Sequence, residues 1–323
     1  MNLLKYLQLL LSIHMILGSQ ATTNYKKPHT VVIGGGFAGW GAAKALCENG
    51  CKVTLLDAGE PTGREPYLTK SGKPFEAGHK GFWRDYPNIY DLISNDLKLN
   101  EDDIFTPYTN SSFYSPYGLE ATAPVFSSSS FPILPSPLGQ IVASVKLFER
   151  LPFSDRLTMV GLLIAMLDYD RNEEVYAAYD RMTAHDLFIR FGLSKRLVDD
   201  FITPTLLVGL FKPPEELSAA IVMDLLYFYA LAHQTSFDVR WIKKGSIAQS
   251  IILPLVNKLT KEYDITILPY SKVTSIGLSA DEDNKINSIT YSKNSREKTL
   301  EDVDACVLAV GAQGNILFLF SSF

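Results

Sequence analysis

Three glycines near the start of the chain carry the clearest chemical signal. In Val31-Val32-Ile33-Gly34-Gly35-Gly36-Phe37-Ala38-Gly39 they fill the fixed positions of G-x-G-x-x-G, at Gly34, Gly36 and Gly39. Each answers a different demand. Gly34 permits a tight turn from strand to helix. Gly36 lets a diphosphate approach the backbone with no Cβ in the way, and Gly39 lets the helix lie close on the sheet. A helix opening at Phe37 and Ala38 then presents free amides and the positive end of its dipole to the phosphates. Asp57, followed by Ala58, ends the next apolar run, where a carboxylate can accept hydrogen bonds from ribose hydroxyls. The bland alternative is a glycine-rich structural turn with an exposed aspartate. The pattern alone does not separate FAD from NAD, and Asp57 disfavours the 2′-phosphate of NADP.

The elements that must hold these residues are legible around them. Residues 30–33 form a short β-branched run, which fits a buried parallel strand. Residues 38–49 are alanine-rich and read as a helix ended by Gly50, and 52–56 read as the next strand. Residues 60–81 are loop-like, 86–97 helical, and 108–137 a mixture of strands and loops. Residues 138–231 read as largely helical, with apolar residues at three- and four-residue spacing through 141–151, 157–167 and 221–231, and an N-cap at Thr183. A helix is expected over 244–259, and strands over 266–268, 273–276, 286–291 and 305–310. This order predicts an α/β protein: a Rossmann-like FAD/NAD(P)-binding domain interrupted by a largely helical α+β substrate domain. The expected boundaries are 28–107 for the first part of the nucleotide domain, 108–240 for the insert and 241–314 for the return.

Composition narrows the function classes. A chain of 323 residues accommodates about two domains. The net charge of −5 lacks the basic footprint of a nucleic-acid binder. A hydrophobic share of 46% against 20% charged residues is that of a globular protein. Cys47, Cys51 and Cys306 cannot build a disulfide framework, and the histidines have no metal-ligand spacing, so no metal site is expected. There is no G-x-S-x-G and no H-E-x-x-H, and no catalytic residue is named. Arg240 and Lys244 read as solvated charges. Residues 1–22 combine Lys5, an apolar stretch over 7–17 and Ser19-Gln20-Ala21. They read as a signal peptide, leading into the secretory pathway or by way of it to a plastid, or else as an uncleaved amphipathic leader.

Several further segments resemble the FAD-dependent amine oxidase and carotenoid desaturase superfamily, in particular its phytoene and ζ-carotene desaturase branch. They are Phe75-Glu76-Ala77-Gly78-His79 with Gly81-Phe82-Trp83 and Tyr86-Pro87-Asn88-Ile89, then Leu134-Pro135-Ser136-Pro137-Leu138, Phe211-Lys212-Pro213-Pro214, Lys243-Lys244-Gly245-Ser246, Val273-x-x-Ile276 and Val303 to Gly311. The resemblance implies FAD as cofactor. It adds Gly63, Arg64, Val273 and Gly311 to Gly34, Gly36, Phe37, Ala38, Gly39, Asp57 and Ala58 as cofactor-binding positions, and it implies either a place near the flavin or a packed or loop role for His79 and Trp83. It also implies hydride removal from an apolar isoprenoid or carotenoid-like substrate, electron transfer to an acceptor such as a quinone or oxygen, and peripheral contact with a membrane. Two departures stand out. After the acidic residue the family usually has R-x-G-G, whereas Glu60-Pro61-Thr62-Gly63-Arg64 keeps one glycine and moves the basic residue. The family pattern also ends in a second FAD segment, and residues 315–323 resemble none of it, so the chain reads as truncated. A nucleotide-binding chain without redox activity and an NAD-dependent dehydrogenase are the competing readings.

Overall fold

The structure is a computed structural model that describes residues 26–62, 67–75, 81–128, 134, 142, 147–227, 238–279 and 285–311. The expected leader at 1–22, the tail at 315–323, Gly63, Arg64 and His79 lie outside the described residues, as do 228–237 and most of 129–146. Two compact units are present. One takes the chain up to Arg64 and from Leu255 onward, and the other is Glu65–Pro254. Among the described residues no helix is long and apolar enough to cross a membrane.

The first unit is built on a parallel sheet. Strand β1 (His29–Ile33) leads through helix α1 (Phe37–Glu48) to β2 (Lys52–Leu56). The chain returns as β3 (Ile265–Leu268), β4 (Lys272–Leu278), β5 (Ile286–Lys293), β6 (Arg296–Leu300) and β7 (Ala305–Leu308). The parallel sheet has the order β7-β1-β2-β3, with Val31 level with Thr54 on one side and Cys306 on the other. Every residue of β1 is buried, as a central strand covered on both faces requires. Burying each of Val31, Val32, Leu55 and Leu56 stabilises the sheet by roughly 1.5–3 kcal/mol. Helix α1 packs through Trp40, Ala43 and Cys47, spaced three and four apart, and turns off at Gly50 with φ +81°.

Strands β4, β5 and β6 form a separate antiparallel sheet in the order β4-β5-β6. Strand β6 is absent from the sequence reading, because Arg296, Glu297, Lys298 and Thr299 are all exposed and show no apolar alternation. What forms it is the turn at Asn294 and Ser295, both at positive φ, which matches the twist of a two-residue hairpin.

The second unit is a helical body with, among the described residues, two small hairpins and one two-stranded pairing of segments distant in sequence. Helices over Val160–Leu167, Ala184–Arg190, Thr203–Gly209 and Ala219–Leu226 enclose Leu162, Met166, Leu187, Phe188, Leu206 and Met223. Thr183 is the expected N-cap, its hydroxyl accepting from the Asp186 amide at 3.1 Å. The anticipated helix over 86–97 is α-helical at Pro87–Asp91 and continues as a π-helical turn at Leu92–Asp96.

The two compact units divide after Arg64 and after Pro254. Phe82–Trp83 pairs with Val239–Arg240, Phe105 bridges to Ile242, and the Lys243 amide donates to the Ile104 carbonyl at 2.8 Å. These ladder bonds tie 65–107 and 241–254 into the second unit. Arg240 corrects the reading of a solvated charge. It is buried, ion-paired with Glu101, and its guanidinium lies 4.5 Å from the Tyr90 ring centre and 4.6 Å from that of Phe105.

Candidate functional site

The carboxyl end of β1 is a switch point: β2 lies on one side of β1, and β7, from the far end of the chain, lies on the other. Open α/β sheets bind ligands in the crevice at such a point. The glycine turn sits there. The Gly34 amide donates to the Leu56 carbonyl at 2.7 Å. Its φ of +108° suits glycine, and a Cβ would stand 2.4 Å from the Ala309 carbonyl oxygen. At Gly39 a Cβ would stand 1.8 Å from the Gly34 carbonyl oxygen, so the helix and the turn are in backbone contact. At Gly36 a Cβ would meet nothing within 4 Å. The two outer glycines are therefore required by packing. The middle one faces open space, the cradle expected for a ligand that approaches the backbone.

Gly36 is also the N-cap of α1. No side chain caps the helix and no acidic residue stands in its first turn. The first hydrogen bond of the helix runs from the Trp40 amide to the Gly36 carbonyl at 2.9 Å, so the amides before it have no partner within the helix. Gly36, Phe37 and Ala38 are exposed. An uncapped, uncharged helix start suits a diphosphate.

Asp57 reaches this turn. Its Oδ2 accepts from the Gly35 amide at 2.6 Å and its Oδ1 from the Gly59 amide at 2.7 Å. Each oxygen keeps lone-pair capacity for a ribose hydroxyl. Ala58 is exposed in the turn that this second bond closes. The neighbouring strand end secures the corner: the Ser271 amide donates to the Asp57 carbonyl at 2.7 Å and the Tyr270 amide to the Gly59 carbonyl at 2.9 Å.

Two other expected positions lie on the returning strands and just beyond them. The side chain of Val273 is packed in the core with Val31, Ile33, Leu56, Ile289 and Tyr291. Gly311, with φ +74°, is exposed just beyond β7. Sequence reasoning missed Trp40 and Pro61. Pro61 is buried over Gly35, where a Cβ would come within 2.5 Å of the Pro61 Cβ, and the Trp40 indole Nε1–H donates to the Pro61 carbonyl at 2.8 Å. A tryptophan within the fingerprint helix was the available signal.

Among the described residues no nucleophile or base stands out in this unit. Burial pushes the Cys47 thiol up to about 11, with Cys51 adding to the effect, and burial also raises that of Cys306. Thiols kept protonated are poor nucleophiles. Among the described residues no group of three or more His, Cys, Asp or Glu could hold a metal ion. In the second unit Val222 and Met223 are spent on the helical core, the ordinary role for apolar residues at helical spacing.

Comparison with known proteins agrees with this geometry. A family model described as an NAD(P)-binding Rossmann-like domain matches residues 32–95. The chain is 27% identical over 240 residues to a 15-cis-phytoene desaturase, chloroplastic/chromoplastic, of an Oncidium hybrid cultivar, a match covering 72% of this chain and 39% of the relative. Its fold is similar to that of an oxidoreductase from Methanosarcina mazei, with a TM-score of 0.57 and 16% identity over 91% of this chain and 62% of the other. It is also similar to wild-type putrescine oxidase bound to putrescine, with a TM-score of 0.54 and 15% identity over 88% of this chain and 58% of the other. These matches show a Rossmann-like nucleotide-binding fold and a likeness in sequence to phytoene desaturases. It spans about two fifths of the length of the curated relatives it matches. The glycine turn and Asp57 lie inside the segment that the Rossmann-like model matches.

Proposed function

We propose that the chain binds FAD at the glycine turn and acts in an oxidoreductase that dehydrogenates an apolar, isoprenoid or carotenoid-like substrate. The observation that carries the reading is the open backbone at Gly36, at an uncapped helix start, with the Asp57 carboxylate held in the same corner. The amides of the first turn of α1 would take the diphosphate, and Asp57 would take the adenosine ribose. FAD, when bound, supplies the acceptor for a hydride equivalent. The chain's own residues bind and orient the nucleotide end of the cofactor. The likeness to phytoene desaturases supports an apolar substrate. So does an exposed stripe of Phe153, Leu157, Val160, Ile164 and Leu167 in the second unit, a surface on which a membrane-dissolved substrate could be met.

The test is the purified chain with its spectrum and its binding isotherms. A yellow preparation, or a colourless one that takes up added FAD stoichiometrically, supports the reading. Bleaching of the bound flavin under anaerobic conditions by a detergent-dispersed C40 polyene precursor supports the substrate class. A colourless protein that refuses FAD and binds NAD instead overturns the cofactor assignment, and one that binds neither overturns the nucleotide site.

A further inference from the structure

We propose that Trp40 is a positioning residue for the nucleotide site: its indole N–H latches the loop after β2 onto the glycine turn. The inference rests on the nucleotide reading for its purpose but on separate observations for its geometry. Where the family pattern has R-x-G-G after the acidic residue, this chain has Glu60-Pro61-Thr62-Gly63-Arg64, with one glycine and the basic residue moved. Its described part, 57–62, is held by other means. Trp40 lies on α1, fully buried at 1% exposure, and an indole N–H taken out of water needs an acceptor. It donates to the Pro61 carbonyl at 2.8 Å, a bond spanning twenty-one positions in sequence. Pro61 is thereby seated on Gly35, so closely that only glycine fits beneath it. The same Gly35 gives its amide to Asp57.

The chain of cause runs through two links. The indole holds Pro61, and Pro61 covers Gly35 in the turn that would take the diphosphate. Asp57 and Gly59 are further tied to Ser271 and Tyr270. Removing the indole bond therefore frees the distal half of the loop, at Glu60 to Thr62, while the proximal half keeps its ties. A ligand that extends over the glycine turn would then have to order that stretch itself, and would bind more weakly for it.

Trp40→Phe deletes the donor and keeps most of the ring volume. Pro61→Gly loosens the loop from the other side and leaves α1 intact. Two readouts separate the latch from the nucleotide reading. Without any ligand, amide hydrogen exchange in the peptide covering 57–62 is expected to accelerate at least about tenfold in both variants, with exchange in β1 and β2 unchanged. With ligand, the dissociation constant for ADP is expected to rise about five- to tenfold in both, while that for adenosine stays within about twofold, because the loop bears on the diphosphate side of the site. Unchanged exchange over 57–62 in both variants overturns the latch. Equal weakening of ADP and adenosine, or weakening of neither, overturns its role in positioning. If the unaltered chain binds no ADP, the nucleotide reading fails, and with it the purpose of the latch, while the exchange measurement still decides its geometry.

Discussion

Gly36→Ala separates ligand binding from folding more cleanly than any other change in the glycine turn. Gly36 has φ −78° and ψ −177°, an extended conformation open to any residue, and its new methyl group would meet no atom within 4 Å. The cost to the ligand-free protein is confined to exchanging glycine for alanine at an N-cap, about 1 kcal/mol or less. The cost to a bound diphosphate is larger. The methyl group stands in the space the phosphates need, and lengthening even one charge-assisted hydrogen bond to a first-turn amide forfeits about 1.5–3 kcal/mol. That corresponds to a roughly 10- to 150-fold loss of affinity. Titration calorimetry with ADP and with FAD at one fixed salt concentration, beside a chemical unfolding curve, gives both numbers. Gly39→Ala is the control. Its Cβ would overlap the Gly34 carbonyl oxygen, so stability and binding should fall together, the former by about 1–3 kcal/mol or more. A Gly36→Ala protein that binds ADP within about twofold of the parent would show that no diphosphate lies over this residue, and the site as drawn would be refuted.

Asp57→Asn should weaken ADP about tenfold and narrow its advantage over 2′-phospho-ADP, measured by competition, since the change removes the negative charge that repels a 2′-phosphate. In the second unit, partial burial works to raise the Glu101 carboxyl, but hydrogen bonds from Arg240 and Ser94 and the Arg240 charge outweigh it and hold the carboxyl below its ordinary 4.5. A folded-state value below the unfolded one means that the contribution is full above the ordinary value and is lost as pH falls through the lower one. Thermal midpoints should therefore drop on acidification below about pH 4.5, and Glu101→Gln should flatten that part of the profile. Thr183→Ala removes an N-cap and should cost about 1 kcal/mol by urea unfolding. The buried Cys47 thiol, raised to about 11, should resist iodoacetamide at pH 8 in the native protein and react after denaturation, as read by peptide mass spectrometry.

The glycine turn, α1, β2 and Asp57 could be read from the chain because diphosphate binding demands particular residue types at fixed spacing within one βαβ unit. The parallel strands were legible because burial on both faces demands unbroken apolar runs. What escaped the sequence depends on partners far away along it. Strand β6 has no apolar pattern and exists because it pairs with β5 across a two-residue turn. Arg240 looks like any surface cation until Tyr90, Phe105 and Glu101, all more than a hundred positions earlier, fold around it. Phe82, Trp83 and Phe105 follow the nucleotide-binding segment closely in sequence, yet their strand partners are Val239, Arg240 and Ile242. Trp40 is an unremarked apolar residue of a helix until Pro61 comes to lie against its indole.

The sheet order has a consequence for how the polypeptide comes to be folded. Strand β1 is flanked by β2, some 20 positions later, and by β7, some 275 positions later in the chain. Glu65–Pro254 is contiguous and can condense as it leaves the ribosome, but the central sheet of the other unit stays open on one side of β1 until the last strands have been made. During that interval the bare edge of β1, with its Thr-Val-Val-Ile run, is an unpaired apolar strand edge of the kind that chaperones cover.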